Sequence, residues 1–254
     1  MKKTYLIFGI IMMVLFLPNC FAKSYYTNNN GVSLTEKEYS FISNMFYIGF
    51  QETLTPEDYN NIFENDQVVN STIEKETIFE NDSKNINLKT FTKSMESTMG
   101  TYFETASKKI TISKSCTTNC LVTIYVEWKK TPSVRSYDVV GALIKDTSIV
   151  INPVTRVSNS TGVNSSNEKV TNSNGFGVSI KLLPSGNDMR ITQYFSVKKG
   201  GTVYGSYQHA KKSISLANSK KYTISYSGLG NVFLFNNLTL RNHYDGMSGV
   251  SISV

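Results

Sequence analysis

The chain is 254 residues long, with a formal net charge of +7 and a composition that is 40% hydrophobic, 12% aromatic and 18% charged. Once a leader of 22 residues is set aside, enough remains for one ordinary domain or two small ones, which excludes a tiny disulfide scaffold, and the apolar share excludes wholesale disorder. Charged residues fall below the ~25% of an average soluble domain; Ser, Thr and Asn fill the gap, and with 15 Tyr and 14 Phe they favour strands joined by turns over helix bundles.

The first residues, MKKTYLIFGIIMMVLFLPNCFA, place Lys2 and Lys3 ahead of an apolar run from Tyr5 to Leu17 and a closing small residue, Ala22. This order of regions reads as a secretory signal peptide cut after Ala22, and the run is shorter than the ~20 residues that a membrane-spanning helix needs. A lipidated Cys20 is the competing reading, against which Asn19 stands where the bacterial lipoprotein signal takes Gly, Ala or Ser. The expectation is an exported protein, secreted or held at the cell surface, whose contact with a membrane stops short of spanning it.

Charge divides the remainder. Residues 23–104 carry six lysines against thirteen acids, a net of −7, and residues 105–254 carry eighteen Lys plus Arg against six acids, a net of +12. Such asymmetry points to segments with distinct roles, or to segments that attract each other once folded. Three spans follow: a leader over 1–22, an acidic segment with two short helices over 23–104, and a basic β-sandwich domain over 105–254.

In the acidic segment Asn28-Asn29-Asn30-Gly31 reads as a turn, because a calcium loop aligned on Gly31 would set Tyr26 and Lys37 at its first and last ligand positions. Thr35 and Glu38 form a capping box, and Tyr39, Ile42, Met45, Phe46 and Gly49 then recur at helical spacing. Thr55-Pro56-Glu57-Asp58 starts a second helix, with Thr55 as cap, Pro56 where no amide donor is needed and acids in the first turn. The aromatic stripe predicts that both helices dock on the rest of the protein. The opening, Tyr25-Tyr26-x-Asn28-x-x-Gly31-Val32-x-Leu34-Thr35-x-x-Glu38-Tyr39, resembles the mature start of some uncharacterised secreted proteins of low-GC bacteria. That resemblance covers about a sixth of the chain and implies no activity and no residue role.

Signals weaken between Asp66 and Ser107, where residues 68–80 fit a strand and NDSKNINLKTFTKSM fits neither period. From Lys108 the period becomes two: Val122, Ile124, Val126 and Trp128 share one face, and Thr123, Tyr125 and Glu127 the other. Phe176 to Leu182 and Tyr222 to Tyr226 repeat the pattern. Ile191 to Val197 and Thr202 to His209 flank Lys198-Lys199-Gly200-Gly201, which reads as a hairpin turn. Val139 to Ile144 and Val232 to Phe235 are continuously apolar, as in central strands, and the stretch from Ser158 to Gly175 reads as one long loop. About eight strands predict a mainly β fold, an antiparallel β-sandwich or jelly roll. Cys116 and Cys120, an even pair once the leader is gone, predict a disulfide at the mouth of a hairpin; their spacing, with no neighbouring His or third Cys, predicts no metal site.

His209 and His243 are the only imidazoles, and Glu127, Asp138, Asp188 and Asp245 are the carboxylates available for acid–base work. No nucleophile elbow, H-E-x-x-H or glycine-rich phosphate loop is present, so neither catalysis nor a cofactor is expected. Lysine doublets at Lys108-Lys109, Lys129-Lys130, Lys198-Lys199, Lys211-Lys212 and Lys220-Lys221 fall near strand ends. Summed into a positive rim, with Lys198, Lys199, Lys211, Lys212, Lys220 and Lys221 as its binding residues, they would attract an anionic cell-surface polymer or glycan; edge protection is the plainer use of such lysines. Arginine is scarce, which argues against nucleic acid. Tyr125, Tyr194 and Tyr204 lie opposite the core sets and are the candidate platform for stacking on sugar rings. The sequence thus reads as an exported, non-catalytic binding or adhesion module of a bacterial cell surface. The alternatives are a strand-built pore, from the alternation between Ile191 and Ser227, and a hydrolase with its site at the sandwich rim.

Overall fold

The computed structural model describes residues 24–47, 49–64, 71–80, 90–91, 108–128, 132–157, 168–172, 175–183, 189–226, 232–245 and 249–254. The leader, Lys129-Lys130 and Asp188 lie outside these. Among the described residues no helix is long and apolar enough to cross a membrane.

The acidic segment begins with a strand pair, β1 (Tyr26–Thr27) and β2 (Ser33–Leu34). Between them Asn28 builds the turn: its Oδ1 accepts the amides of Asn30 and Val32 at 2.9 and 3.0 Å, and Gly31 supplies the positive φ of 78°. Helix α1 (Glu36–Met45) starts at the expected capping box, in which the Thr35 amide donates to Glu38 Oε2 at 2.7 Å and the Glu38 amide to Thr35 Oγ1 at 3.3 Å. A single turn, α2 (Phe50–Thr53), precedes α3 (Pro56–Tyr59), where Thr55 and Asp58 form a second capping box and a π-helical turn follows over Asn60–Glu64.

The strands are β3 (Ile73–Glu80), β4 (Thr90–Phe91), β5 (Lys108–Cys116), β6 (Asn119–Trp128), β7 (Tyr137–Lys145), β8 (Ile149–Val157), β9 (Glu168–Asn172), β10 (Gly175–Lys181), β11 (Met189–Lys198) and β12 (Thr202–Gln208). After them come α4 (Leu216–Ser219), the short pair β13 (Tyr222–Ile224) and β14 (Phe233–Phe235), α5 (Leu238–Asn242) and β15 (Val250–Ser253). All pairings are antiparallel within two large sheets, one of six strands in the order β4-β3-β5-β6-β11-β8 and one of five in the order β15-β12-β7-β10-β9. The chain is therefore mainly β, an antiparallel sandwich with a small N-terminal helical segment.

Between the sheets, the inward faces predicted by alternation interdigitate: Val122, Ile124, Val126 and Trp128 from β6 meet Val140, Phe176, Phe195 and Val203. Burying such side chains contributes on the order of 1.5–3 kcal/mol each. The outer faces are not open to solvent as Tyr125 and Tyr194 were read to be, while the helices dock as their aromatic stripe predicts. The helical segment covers the six-stranded sheet, with Phe41, Ile42, Met45, Phe46 and Phe50 packed on Leu121, Tyr125 and Tyr194. The second sheet is covered by β13, β14, α4 and α5, through Tyr222, Phe233, Phe235, Leu240 and Tyr244 packed on Val139 and Leu143. Both sheets are buried on two sides, so polar residues of the alternation, such as Thr123, Thr192 and Ser196, are buried as well.

Three further expectations are corrected. The strands outnumber eight, because β8, β9 and β15, with the short β1, β2 and β4, fall where no strand was read; β8 is an edge strand and admits Pro153, and β9 lies within the span read as one loop. Lys198-Lys199-Gly200-Gly201 is not a hairpin turn: β11 belongs to the six-stranded sheet and β12 to the five-stranded one, so this turn crosses between sheets, locked by the Gly200 amide donating to the Val254 carbonyl at 2.7 Å. Finally β3, although in the acidic segment, pairs with β5 along its whole length, so the change of charge at residue 104 does not coincide with an edge of a sheet. The disulfide forms as expected: Cys116 and Cys120 are the last register pair of the β5–β6 hairpin.

Candidate functional site

Alternation along β5 sends its first two lysines to opposite faces, and each face carries a polar cluster. Lys109 points outward, into a cavity of about 160 Å³ between the end of α1 and the six-stranded sheet. Tyr47 and Tyr125 form its aromatic floor, stacked with centroids 5.8 Å apart at 23°. Lys109 Nζ stands 5.4 Å from the Tyr125 ring centroid and 2.7 Å from Glu127 Oε2, and Arg190 Nε lies 3.6 Å from Glu127 Oε1. Lys75 from β3 completes the wall. Three cations and one carboxylate, two of the cations in contact with it, therefore line a pocket whose floor is aromatic. Burial of the Tyr47 hydroxyl holds its pKa above the ordinary phenol value.

Lys108 points inward. It is 4% exposed, sits opposite Trp128 in the β5–β6 register, and contacts Asp245 as an ion pair, with Nζ 5.3 Å from the Trp128 ring centroid. Beside it, His209 Nδ1 lies 3.0 Å from Asp138 Oδ2, and Asp138 also accepts the Ala210 amide at 2.9 Å and the Tyr207 hydroxyl. Trp128 Nε1 donates to the Tyr207 oxygen at 2.8 Å. Burial disfavours a charged His209, but the Asp138 carboxylate outweighs that and holds the imidazole pKa above its ordinary value. Burial, with the Asp138 charge next, drives the Tyr207 phenol far up.

Of the carboxylates and imidazoles singled out from the sequence, the structure brings Asp138, His209 and Asp245 together and places Glu127 in the outer pocket. His243 stands apart from this cluster in its recorded contacts: its carbonyl accepts the Lys211 amide at 2.7 Å and its own amide caps α5. His209 is only 7% exposed, so the open rim site that motivated a hydrolase is not what this imidazole occupies.

The tyrosine platform is corrected. Tyr194 is fully buried under the helical segment and Tyr204 packs on Tyr226 at 4.7 Å, so the three rings form no common platform; Tyr125, 9% exposed, keeps only the surface that lines the pocket. The basic rim is corrected too. Strand β12 separates Lys198-Lys199 from Lys211-Lys212, and at ~3.3 Å per residue its seven residues put these doublets at opposite ends of the sandwich, roughly 20 Å apart. Lys220 and Lys221 belong to the cover over the five-stranded sheet, where the Lys221 carbonyl accepts the Asn236 amide at 3.0 Å. Sequence reasoning missed Lys75 and Arg190, whose strands lie far apart in the chain. A signal for Lys109 was present in its place next to Lys108 on an alternating strand.

No family model matches the chain, and no curated protein matches it. Among solved structures it is similar to the pilus backbone protein RrgB of Streptococcus pneumoniae, at 7% identity and a TM-score of 0.29, over 37% of this chain and 25% of that one. The chain thus spans about a quarter of that protein's length, and a likeness of this size transfers no residue role.

Proposed function

We propose that the protein is an exported, non-catalytic binding module of a bacterial cell surface that holds an anionic saccharide unit of a wall polymer or glycan in the pocket between α1 and the six-stranded sheet. The observation that carries this reading is the set of Lys75, Lys109 and Arg190 that lines the pocket with Glu127 around the Tyr47–Tyr125 floor. Cations supply the attraction for carboxylate or phosphate, and the small remaining surface of the two rings supplies an apolar floor for the unit to rest on. The cavity is smaller than the ~300–1,000 Å³ of drug-sized pockets, which suits one unit of a longer chain. The leader-like N-terminus and the disulfide support an exported location.

Polygalacturonate and polyglycerol phosphate, with neutral dextran as control, test the reading. Binding to the anionic polymers is expected to weaken steeply with salt and to fall at least tenfold in Lys75→Glu and Arg190→Glu. Binding that survives both changes and disappears in Lys211→Glu/Lys212→Glu removes the pocket as the site.

A further inference from the structure

Lysine and aspartate side chains rarely meet in a protein interior, because two desolvated charges cost more than their attraction returns unless every remaining group is satisfied. Lys108 and Asp245 do meet there. We propose that they become joined by an amide bond, a crosslink that the folded chain makes within itself between β5 of one sheet and the segment leading into β15 of the other.

The geometry prepares both partners. Alternation turns the Lys108 stem into the sandwich against Trp128, leaving its amine little water. Asp245 is fixed from its other side: its Oδ1 accepts the His209 amide at 2.9 Å, while its own amide donates to the His209 carbonyl at 3.0 Å, so Oδ2 is the oxygen turned to Nζ. As Nζ adds to Cγ, negative charge grows on Oδ1, where the His209 N–H already stands as donor. One proton passes from the ammonium to Oδ2 to give amine and carboxylic acid; the Nζ lone pair forms the N–Cγ bond; the now cationic nitrogen gives up a second proton, which the Asp138–His209 pair of the same cluster carries to Oδ2; and the Cγ–Oδ2 bond breaks as Oδ1 re-forms its carbonyl, releasing water. Ammonium plus carboxylate gives amide plus water, with no net proton and no oxidant or reductant. Holding the two groups in contact supplies an effective molarity on the order of 10⁵–10⁸ M, and the product removes a buried ammonium and a half-buried carboxylate. Residues 108 and 245 enclose almost the whole sandwich, so the bond would hold it closed against force and proteolysis.

Mass decides the matter. The exported wild-type protein, reduced and denatured, is expected to weigh one water less than its sequence from the mature N-terminus. Tryptic mapping is expected to give a branched peptide containing Lys108 and Asp245, with no cleavage after Lys108. Lys108→Arg and Asp245→Ala should each restore the full mass. A full-sequence mass for the folded wild-type protein, with Lys108 and Asp245 in separate linear peptides, overturns the crosslink and leaves an ion pair. Because the wild-type map is decisive by itself, the conclusion stands or falls even where a variant fails to fold.

Discussion

Arg156 on the edge strand β8 grips Asp58 in α3 with two nitrogens, Nη2 at 2.6 Å and Nε at 3.0 Å from Oδ1. Asp58 is completely buried and also accepts from the Tyr194 hydroxyl and the Thr55 amide. One carboxylate therefore caps its own helix, ties the acidic segment to the basic sheet, and fixes the tyrosine on which the helices rest. The attraction between the −7 and +12 halves of the chain becomes specific at this point.

Arg156→Leu should cost about 2 kcal/mol. Charge-assisted hydrogen bonds are worth ~1.5–3 kcal/mol, and water screens part of that because the Arg156 side chain is 33% exposed. Loss should appear first as faster hydrogen exchange over residues 36–59, with the sandwich retained.

The same site sets an acid limit. Burial alone would raise the Asp58 pKa, but the bonds from Arg156, Tyr194 and Thr55 outweigh it and hold the carboxyl below its usual range. A depressed folded pKa stabilises above the unfolded value of ~3.9 and loses that contribution as pH falls through the folded one. Acid titration followed by circular dichroism should show helical signal lost below about pH 4; Asp58→Asn, which cannot titrate, should flatten that limb while lowering stability at neutral pH.

His209 works in the opposite sense. With its folded pKa above the ordinary value, because Asp138 outweighs burial, the stability it contributes is complete below the unfolded value of ~6.5 and declines as pH rises through the folded one. Thermal midpoints measured from pH 6 to 9 should fall across that window, and His209→Gln should remove the fall. An NMR titration placing the His209 midpoint below 6.5 would contradict this.

How much of this was legible depended on whether a signal was local. Both helix starts were, because a capping box needs only Thr35 with Glu38, or Thr55 with Asp58, and the chain alone supplies them. So was the inward face of β6, since alternation from Val122 to Trp128 is a property of one strand. The outer faces were not. Tyr125 and Tyr194 look solvent-facing when their strands are read singly, and only the docking of Phe46 and Phe50 from a segment far earlier in sequence buries them. Lys198-Lys199-Gly200-Gly201 fails in the same way: a turn sequence states that the chain reverses, and partner choice decides whether the reversal stays in one sheet. The inward-facing cluster joins Lys108, Trp128, Asp138, Tyr207, His209 and Asp245 from five separate stretches, which no spacing rule can assemble.

The Cys116–Cys120 bond closes a loop of five residues at the tip of β5–β6. Chain entropy for so short a loop gives about 2 kcal/mol, the low end for disulfides. Reduction, or Cys116→Ser with Cys120→Ser, should therefore lower the urea midpoint by that equivalent without changing the slope. A larger loss would mean that Cys120, which is fully buried, contributes through packing as well.

A close backbone approach in the five-stranded sheet gives the sharpest prediction. In the five-stranded sheet Gly141 of β7 faces Gly177 of β10, and a methyl group added at Gly141 would lie 2.1 Å from the Phe176 carbonyl oxygen and 2.8 Å from the Gly177 Cα. Both obstacles are backbone, so no rotamer change relieves the clash; the strands must separate, breaking the pairing that carries Phe176 and Val178 into the core. Gly141→Ala should cost more than the ~1–3 kcal/mol of ordinary overpacking and should yield insoluble or molten protein. Gly200→Ala is the control: nothing lies within 4 Å of its added Cβ, so only the positive φ of 89° opposes it. That strain is on the order of 1 kcal/mol, and the variant should fold. Equal stability of the two variants in denaturant titration would show that β7 and β10 do not approach this closely.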